Sequence, residues 1–590
     1  MNNLDENQKV YSIDFETYYD KRVSVTTLGL YHYLRHPDCE IYMVAVYSKE
    51  AGFSYVGEPA AMDWNRLHGQ ICVGHNVRFD RACFLRLQEL GIIPAGIVPR
   101  WECTADLVSA LSYGRSLKAA VEGMYNIRLS KDTRDNMLGV TWKQAKERGM
   151  AEELASYCLK DAYYSYYIRK QLSPLWSDKE RRLSALTRDM CDYGLHIDLA
   201  LVEAGRQTLL QVMDAAIEKI PWADGYKPVL SPKHLKEECI KAGIHPPASL
   251  AQDSEDCARW EEQYGARFPW VAAMRDYRKA NTLYKKLETL HSRIRPDGSF
   301  AYGLKYFGAH TGRWSGDAGF NIQNLPRVPM FGVDLRRMIT ARPGHGLIMS
   351  DLSSIEQRVL GWLSGDNAMM DILATGVSPY DAHARVTMGY ADPEPLKQKN
   401  PDLYRLAKAR VLGLGYGAGA TVFVQLAKSL AGLDITLQQA QKIVADFRAS
   451  NRLITNLWAT LERAMSASVG KDFSLPLPSG RKLYYRQVAV TPKGLSALVQ
   501  GKRVSFFGGK LAENLTSAVA RDVLGEILLN LDAAGYRVVM HIHDEVVVEV
   551  PLERLDRAAK EVHSIMTTPP DWLAGLPLAA ETTTSPFYTK

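Results

Sequence analysis

The stretch YRVVMHIHDEVVVEV, residues 536–550, sets two runs of β-branched residues on either side of an acidic corner. Such runs read as strands and the corner between them as a tight hairpin turn. This unit constrains the fold most, because it demands a sheet and fixes Asp544 and Glu545 at the tip of one hairpin. Aspartate is a natural turn residue, so a solvated turn is the ordinary role for this pair. A chemical role opens if partner carboxylates lie elsewhere in the chain.

At 590 residues the chain is expected to hold several domains, since single cores stop growing at roughly 250–300 residues. Hydrophobic residues at 46% and charged residues at 23% describe an ordinary folded, soluble protein. The start, MNNLDENQKV, lacks the basic and apolar segments of a secretory signal. No apolar run approaches the ~20 residues of a membrane span, so no membrane partner is expected. All eight cysteines precede residue 258 and none forms a C-x-x-C pair, which points to free thiols in a reducing compartment and away from zinc. The net charge of +6, from 72 basic and 66 acidic residues, is too mild to identify a polyanionic partner. Its distribution says more. Between Arg275 and Arg313 nine Lys/Arg face three Asp/Glu, with Tyr277, Tyr284, Tyr302, Tyr306 and Phe307 interleaved. That mixture suits a nucleic-acid backbone and base planes, and it equally suits a solvated helix face.

Along the chain, VYSIDFE, IYMVAVYS and QICVGHN read as strands and DRACFLRLQEL as a helix, an alternation that predicts an α/β domain over residues 10–160. A long amphipathic helix is expected from about Glu152 to Leu172, with SPLWSDKE (173–180) as the hinge beyond it. Residues 181–295 read as largely helical, broken at PWADGYKP and IHPPASL. Strand signals return at GLIMSDL (346–352) and at the opening hairpin. The residues between are mostly helical, apart from SLPLPSGRKLYY (474–485), a turn leading into a strand.

In YSIDFETYYD, Asp14 and Glu16 stand two apart on a strand and project from one face. Two acids there repel one another unless the face is wet or holds a cation. In GHNVRFDRACFL, Asp80 precedes an apolar helix, where an N-cap is its ordinary role. In YCLKD, Tyr157 and Asp161 are four apart and share a helix face. The order D-x-E, G-H-N-x-x-F-D, Y-x-x-x-D resembles the proofreading 3′→5′ exonuclease family with four acidic ligands and a tyrosine (DEDDy), which has a ribonuclease-H-like fold. The resemblance covers roughly residues 8–172. It implies that Asp14, Glu16, Asp80 and Asp161 hold two divalent ions and that Tyr157 orients the attacking water. Hard cations prefer carboxylate oxygens, and an ion pair suits in-line displacement.

GLIMSDLSSIEQRVLGWLSGD (346–366) runs a strand into Asp351 and then begins a helix, with Ser353 and Glu356 at capping-box spacing. In NPDLYRLAKARVLGLGYGAGA (400–420), Asn400 and Pro401 mark a helix start. At 100° per residue, Arg405, Lys408, Leu412 and Tyr416 would share about an 80° arc, a face able to grip a triphosphate and stack a base. Gly413, Gly415, Gly417 and Gly419 weaken any helix there, at roughly 1 kcal/mol each relative to Ala, and close approach of something to the backbone would explain them.

With TGRWSGDAGFNIQNLP (311–326) and HDE at 543–545, these motifs resemble the family A DNA polymerases, related to bacterial DNA polymerase I and nearest to compact bacteriophage versions. The match spans about 180–590. It implies a right-hand architecture, an α/β and α+β chain with an exonuclease domain at 1–175 and a polymerase domain at 176–590. Within the latter the thumb is expected at about 195–300, the palm at about 301–370 and 490–590, and the fingers at about 371–489. The resemblance implies that Asp351 and Asp544 hold a metal pair, two Mg2+ in this site as in the exonuclease site, with Mn2+ able to substitute. Glu545 is then auxiliary, and His543 steers the primer end or is simply a packed strand histidine. Lys408 neutralises the incoming triphosphate, Tyr416 stacks near the templating base, and His383 of SPYDAHA contacts the triphosphate. Glu356 is a steric gate against a ribose 2′-hydroxyl or a helix cap. Arg313, Asn321 and Gln323 follow the primer–template minor groove, whose acceptors occur for every base pair.

Three positions depart from the family pattern. Tyr404 stands where a phosphate-binding Arg is usual, with Arg405 next to it as a candidate substitute; Leu412 replaces Phe or Tyr beside the sugar; Ser517 replaces a template-contacting Gln. The expected activity is DNA-templated DNA synthesis with proofreading, acting on primer–template DNA and dNTPs as a monomer in the cytoplasm of a bacterial host. Since the chain begins with the exonuclease motifs, no 5′-nuclease domain is expected, which favours a phage or prophage replicative role. A single-subunit RNA polymerase and a catalytically inactive primer–template binder are the alternatives. Glu356 with the complete exonuclease set speaks against the first, and Asp351, Asp544 and Lys408 speak against the second.

Overall fold

The computed structural model describes residues 8–130, 132–223, 229–250 and 254–589. The expected break at PWADGYKP lies partly outside them, at 224–228. The chain forms two compact units. The first comprises residues 1–192, 303–323 and 348–584, and the second 193–302, 324–347 and 585–590.

The first unit opens with a five-stranded sheet of β1 (Val10–Thr17), β2 (Ile41–Ser48), β3 (Phe53–Gly57), β4 (Ile71–Gly74) and β5 (Arg100–Cys103), in the order β3-β2-β1-β4-β5. β1 runs antiparallel to β2 and parallel to β4. Helix α1 (Arg78–Glu89) follows β4, and α2 (Ala151–Leu172) lies across β1 and β2. Ile13 and Phe15 are buried on one face of β1, while Asp14 and Glu16 are partly buried on the other. The period-2 pattern therefore sorts core from site within a single strand. The expected hinge is a short 3-10 turn, Ser173–Leu175, after which α3 (Asp178–Tyr193) begins.

A second sheet of this unit contains β6 (His345–Leu352), and α4 (Ile355–Ser364) starts just beyond it. Helices α5 (Pro379–Thr387) and α6 (Pro401–Leu414) belong to the helical stretch that follows. An antiparallel sheet comes next, β7 (Phe473–Pro476), β8 (Lys482–Thr491), β9 (Gly494–Val499) and β10 (Lys502–Ser505). Only the turn into β8 was legible in the sequence, because β9 and β10 are short and β10 is exposed throughout. Helix α7 (Gly508–Ala533) is buried along nearly its whole length, as its apolar residues on all sides require. It leads into the hairpin of β11 (Arg537–Ile542) and β12 (Glu545–Pro551). With β13 (Ala580–Ser585) the second sheet has the order β11-β12-β6-β13.

In the second unit the helices Leu199–Ile217 and Pro269–Arg293 pack along one another, beside a three-stranded sheet of Leu195–Ile197, Ser299–Phe300 and Ile339–Thr340. The basic stretch from Arg275 falls largely on the second of these helices. Three of its interleaved aromatics are corrected by the structure: Tyr302, Tyr306 and Phe307 are buried. Large apolar rings leave water wherever packing allows, so these three serve cores and are not a stacking surface. Among the described residues no helix is long and apolar enough to cross a membrane.

Candidate active sites

Two groups of carboxylates assemble in the first unit. Asp14, Glu16, Tyr157 and Asp161 line one cleft of about 540 Å³. Asp80 joins them from the first turn of α1, accepting the Phe15 backbone N–H at 3.3 Å. It does not cap its helix, whose N-cap is Val77 without a side-chain bond. Its space depends on Gly74, where a Cβ would stand 2.6 Å from Asp80 Oδ2. Beside the acids, the Cys158 thiol donates to the Asp14 carbonyl at 3.5 Å. Ligand atoms of Asp14, Glu16 and Cys158 lie within 4.8 Å of one another.

Crowded carboxyls taken out of water hold their protons. Burial, and then Asp161, push Asp14 well above the usual carboxylate range. Burial and Asp161 likewise push Glu16 up to about 8, and burial dominates in raising Asp80 to about 8. Burial, followed by Asp161, also drives the Tyr157 hydroxyl upward. Oxygen donors with this excess of negative charge fit a hard divalent cation. The sequence reading missed His75 and Arg134, which also line the cleft. His75 sits in the GHN motif without a distinguishing signal, and Arg134 lies in a charged stretch that looks like any solvated helix.

The second group centres on Asp351 and Asp544. The Leu352 N–H donates to the Asp544 carbonyl at 3.2 Å, so the C-terminal end of β6 meets the hairpin tip and brings the two acids to neighbouring positions. His543 and Asp544 form the two-residue turn, with Ile542 paired to Glu545 across it. His543 is exposed with φ +54°, in the left-handed region where non-glycine residues are uncommon. Glu545 is buried.

Gln323 was expected to face nucleic acid, but its amide is engaged by this turn. Its Nε2 donates to the His541 carbonyl at 3.0 Å, and its Oε1 accepts the His543 N–H at 3.0 Å. Asn321, exposed, accepts the Gln323 N–H at 2.9 Å. Gln323→Ala is therefore expected to lower the unfolding free energy by about 1–3 kcal/mol, since a buried carbonyl loses its donor. The change would be read as a lower urea midpoint at unchanged slope; an unchanged midpoint would contradict the clasp.

Arg313 Nη2 pairs with Glu356 Oε1 at 2.6 Å. The capping box expected at Glu356 is not formed, because Ser354, left-handed at φ +52°, is the N-cap and makes no side-chain bond. The loop bearing Arg313 is anchored from α7. There Arg521, fully buried, donates to the Gly312 carbonyl at 3.0 Å and to Glu180 at 2.6 Å.

Helix α6 ends at Leu414, and Tyr416 occupies the turn that follows, after Gly415, whose backbone is still right-handed helical. Gly417 adopts φ +83°, which ends the helical path. At three of the glycines the close approach is made by the chain itself: a Cβ would stand 3.1 Å from Phe423 at Gly413, 3.1 Å from Leu360 at Gly415 and 3.5 Å from Gly509 of α7 at Gly417, while Gly419 has nothing within 4 Å. Burial, and then Glu356, push the Tyr416 hydroxyl up, which places Tyr416 near the Arg313–Glu356 pair. Lys408 and Leu412 are partly exposed. Arg405 is exposed and bonds Asp402 at 2.5 Å, while Tyr404 packs edge-on against Tyr380. His383 is buried beside Phe447, and burial lowers it to about 3. Ser517 is buried and bonds Thr311 at 3.4 Å.

A family profile described as DNA polymerase family A matches residues 229–589. Over 99% of its length the chain is 26% identical to the DNA polymerase of Bacillus phage SP02, of which it covers 100%. It is 25% identical to DNA polymerase I of Chloroflexus aurantiacus over 84% of this chain and 52% of that protein. It is 24% identical to the thermostable DNA polymerase I of Thermus aquaticus over 66% of this chain and 46% of that protein. The chain thus spans about half the length of these two bacterial relatives. Among solved structures, the POL domain of Pol1 from M. smegmatis, in complex with DNA primer-template and dNTP, aligns with a TM-score of 0.67 and 17% identity over 93% of each chain. That likeness establishes a shared fold.

Proposed function

Since the chain belongs to DNA polymerase family A, we propose that it extends a DNA primer with dNTPs on a DNA template and trims mispaired 3′ ends in a separate cleft. The observation that carries this reading is the convergence of Asp351 and Asp544 through the Leu352–Asp544 backbone bond. Residues 10–172 are then a ribonuclease-H-like exonuclease domain. The second sheet with α7 is the palm, the helical stretch with α6 belongs to the fingers, and the second unit is the thumb. The likeness to the phage SP02 protein supports a phage or prophage role.

Asp351 and Asp544 would hold one pair of divalent ions, and Asp14, Glu16, Asp80 and Asp161 the other. Magnesium, when bound, would supply Lewis acidity toward the primer 3′-hydroxyl and triphosphate in one site and toward the attacking water in the other. The chain's own residues do the positioning. The Gln323 clasp fixes the turn that carries Asp544. Lys408 and Arg405 face the triphosphate, and His383, within the helical core, supports that wall. Glu356, braced by Arg313, crowds a ribose 2′-hydroxyl. Leu412 lies along the sugar, Tyr416 beside the templating base, and Asn321 and His543 near the primer end. Tyr157 orients the water in the trimming cleft.

Primer extension with paired and mispaired 3′ ends, with and without chelator, tests the proposal. Chelator-sensitive extension and preferential trimming of the mispaired end are expected. Ribonucleotide incorporation at the dNTP rate, or no extension by the metal-replete protein, would overturn it.

The raised carboxyls also predict a pH dependence of stability. With Glu16 at about 8 in the fold and about 4.3 unfolded, the folded state binds more protons between those values. Stability therefore falls as pH rises from roughly 4.3 to 8 and then levels off. Without metal, Glu16→Gln should be more stable than the parent, by a margin that grows across this range. Magnesium should narrow the difference. Parallel melting temperatures at every pH would refute the prediction.

A further inference from the structure

Residues 111–116, LSYGRS, leave the helix Thr104–Ala110 and enter the helix Leu117–Tyr125, which Ser116 caps through its hydroxyl. One side of this segment is the trimming cleft. His75, Ser116 and Lys118 line it together with Asp14, Glu16, Tyr157 and Asp161. His75 Nε2 bonds the Arg115 carbonyl at 2.8 Å, and its Nδ1 lies 3.0 Å from the Thr104 hydroxyl. A carbonyl only accepts, so the neutral imidazole carries its proton on Nε2.

The other side is held by remote parts of the chain. Arg486 of β8 donates from Nη2 to the Leu111 carbonyl at 2.9 Å, and its guanidinium covers the Tyr113 ring at 4.7 Å. Its second arm is braced on Asp472 at 2.8 Å. The Gln500 N–H, at the β9–β10 turn, donates to the Ser112 carbonyl at 3.2 Å, and Gln500 Nε2 to the Phe307 carbonyl at 3.2 Å. Arg115 Nη1 donates to the Tyr306 carbonyl at 2.8 Å. The contact lies where the backbone is left-handed on both sides, with φ +63° at Ser112 and +49° at Gln500. Non-glycine residues keep such angles only where their surroundings hold them.

We propose that Arg486, through its side chain, and Gln500, through its backbone N–H, position the trimming cleft: the sheet of residues 473–505 clamps the 111–116 segment and thereby fixes the wall formed by His75, Ser116 and Lys118. This rests on the exonuclease reading of the cleft. The clamp makes strand trimming depend on residues far outside the acidic motifs, and a loosened wall grips a strand poorly while leaving the carboxylates in place. The effect therefore belongs in KM more than in kcat.

The test compares Arg486→Ala, Arg486→Lys and Gln500→Ala with the full-length parent in three measurements. These are trimming of a single-stranded oligonucleotide, extension of a matched primer, and amide hydrogen exchange by segment. For Arg486→Ala, KM for trimming should rise on the order of tenfold, with kcat and matched extension within about twofold of the parent. Exchange should accelerate at residues 75–77 and 112–118, while 10–17 and 41–48 stay protected. Arg486→Lys, which keeps one donor, should fall between, while Gln500→Ala, which keeps the backbone N–H that meets Ser112 and loses only the side-chain bond to Phe307, should leave those amides near the parent rate. For Arg486→Ala, unchanged exchange at 112–118, accelerated exchange with unchanged trimming, or parallel loss of trimming and extension would each overturn the clamp. If the parent itself shows no chelator-sensitive trimming, or if Asp14→Ala trims normally, the exonuclease reading fails instead, and the exchange data still decide whether the clamp exists.

Discussion

Replacing Asp544 by alanine should abolish primer extension while leaving 3′→5′ trimming of a single strand at the parent rate. The residue occupies a two-residue turn whose backbone is held from both sides, by Leu352 at its carbonyl and by Gln323 at the residue before it. That restraint keeps the carboxylate where Asp351 also ends its strand, so removing it leaves the backbone but takes away half of a charge pair. Groups aimed at developing charge in a preorganised site are worth about 10²–10³-fold each, and losing a carboxylate proposed to hold a shared ion should reach the upper end or beyond. Asp544→Asn separates charge from shape: it keeps the side-chain outline and should be nearly as inactive. The cleft proposed to trim has its own acids, so trimming should persist, and its persistence would show that the variant is folded. Extension within about tenfold of the parent at saturating magnesium would falsify the assignment of Asp544.

The mirror experiment is Asp14→Ala, for which trimming should vanish and matched extension should persist. Asp14 carries a second, opposite expectation. Its carboxyl is held well above the usual range by burial and by Asp161, a sign that the fold accommodates the charge poorly when no cation is present. Alanine removes that strain, so the metal-free variant should melt at a higher temperature than the parent at pH 8, with the advantage shrinking when magnesium is added. Sites that concentrate like charge commonly cost stability in this way. A variant that loses trimming but also melts lower would assign Asp14 a packing role. One that trims normally would remove it from the chemistry.

These two acids also mark what could be read without a structure. Asp14 and Glu16 lie where period-2 alternation places them, on the open face of β1 with Ile13 and Phe15 buried behind. The long helix expected from Glu152 spans Ala151–Leu172, and the hairpin around 543–545 forms as the β-branched runs demand. All three depend on patterns within a few turns or pleats of local chain. The helix carrying Arg405, Lys408 and Leu412 stops two residues short of Tyr416, because the glycine-rich stretch ends it at Leu414.

Local pattern and motif order thus determined the elements, the family resemblance and the candidate acids. Tertiary structure alone decided what each polar group faces. Gln323 and Asn321 read alike in a single motif, yet one amide is buried across the turn and the other is exposed. Asp80 looks like a helix cap and instead ties α1 to β1. The glycines near Tyr416 suggested a close approach to the backbone, and Phe423, Leu360 and Gly509 of α7 lie close to Gly413, Gly415 and Gly417 in turn. The physical reason is range: strand and helix periodicity is set by neighbouring residues, whereas a hydrogen-bond partner hundreds of positions away is chosen by which surfaces bury together, and a buried polar group must take whatever partner that packing supplies.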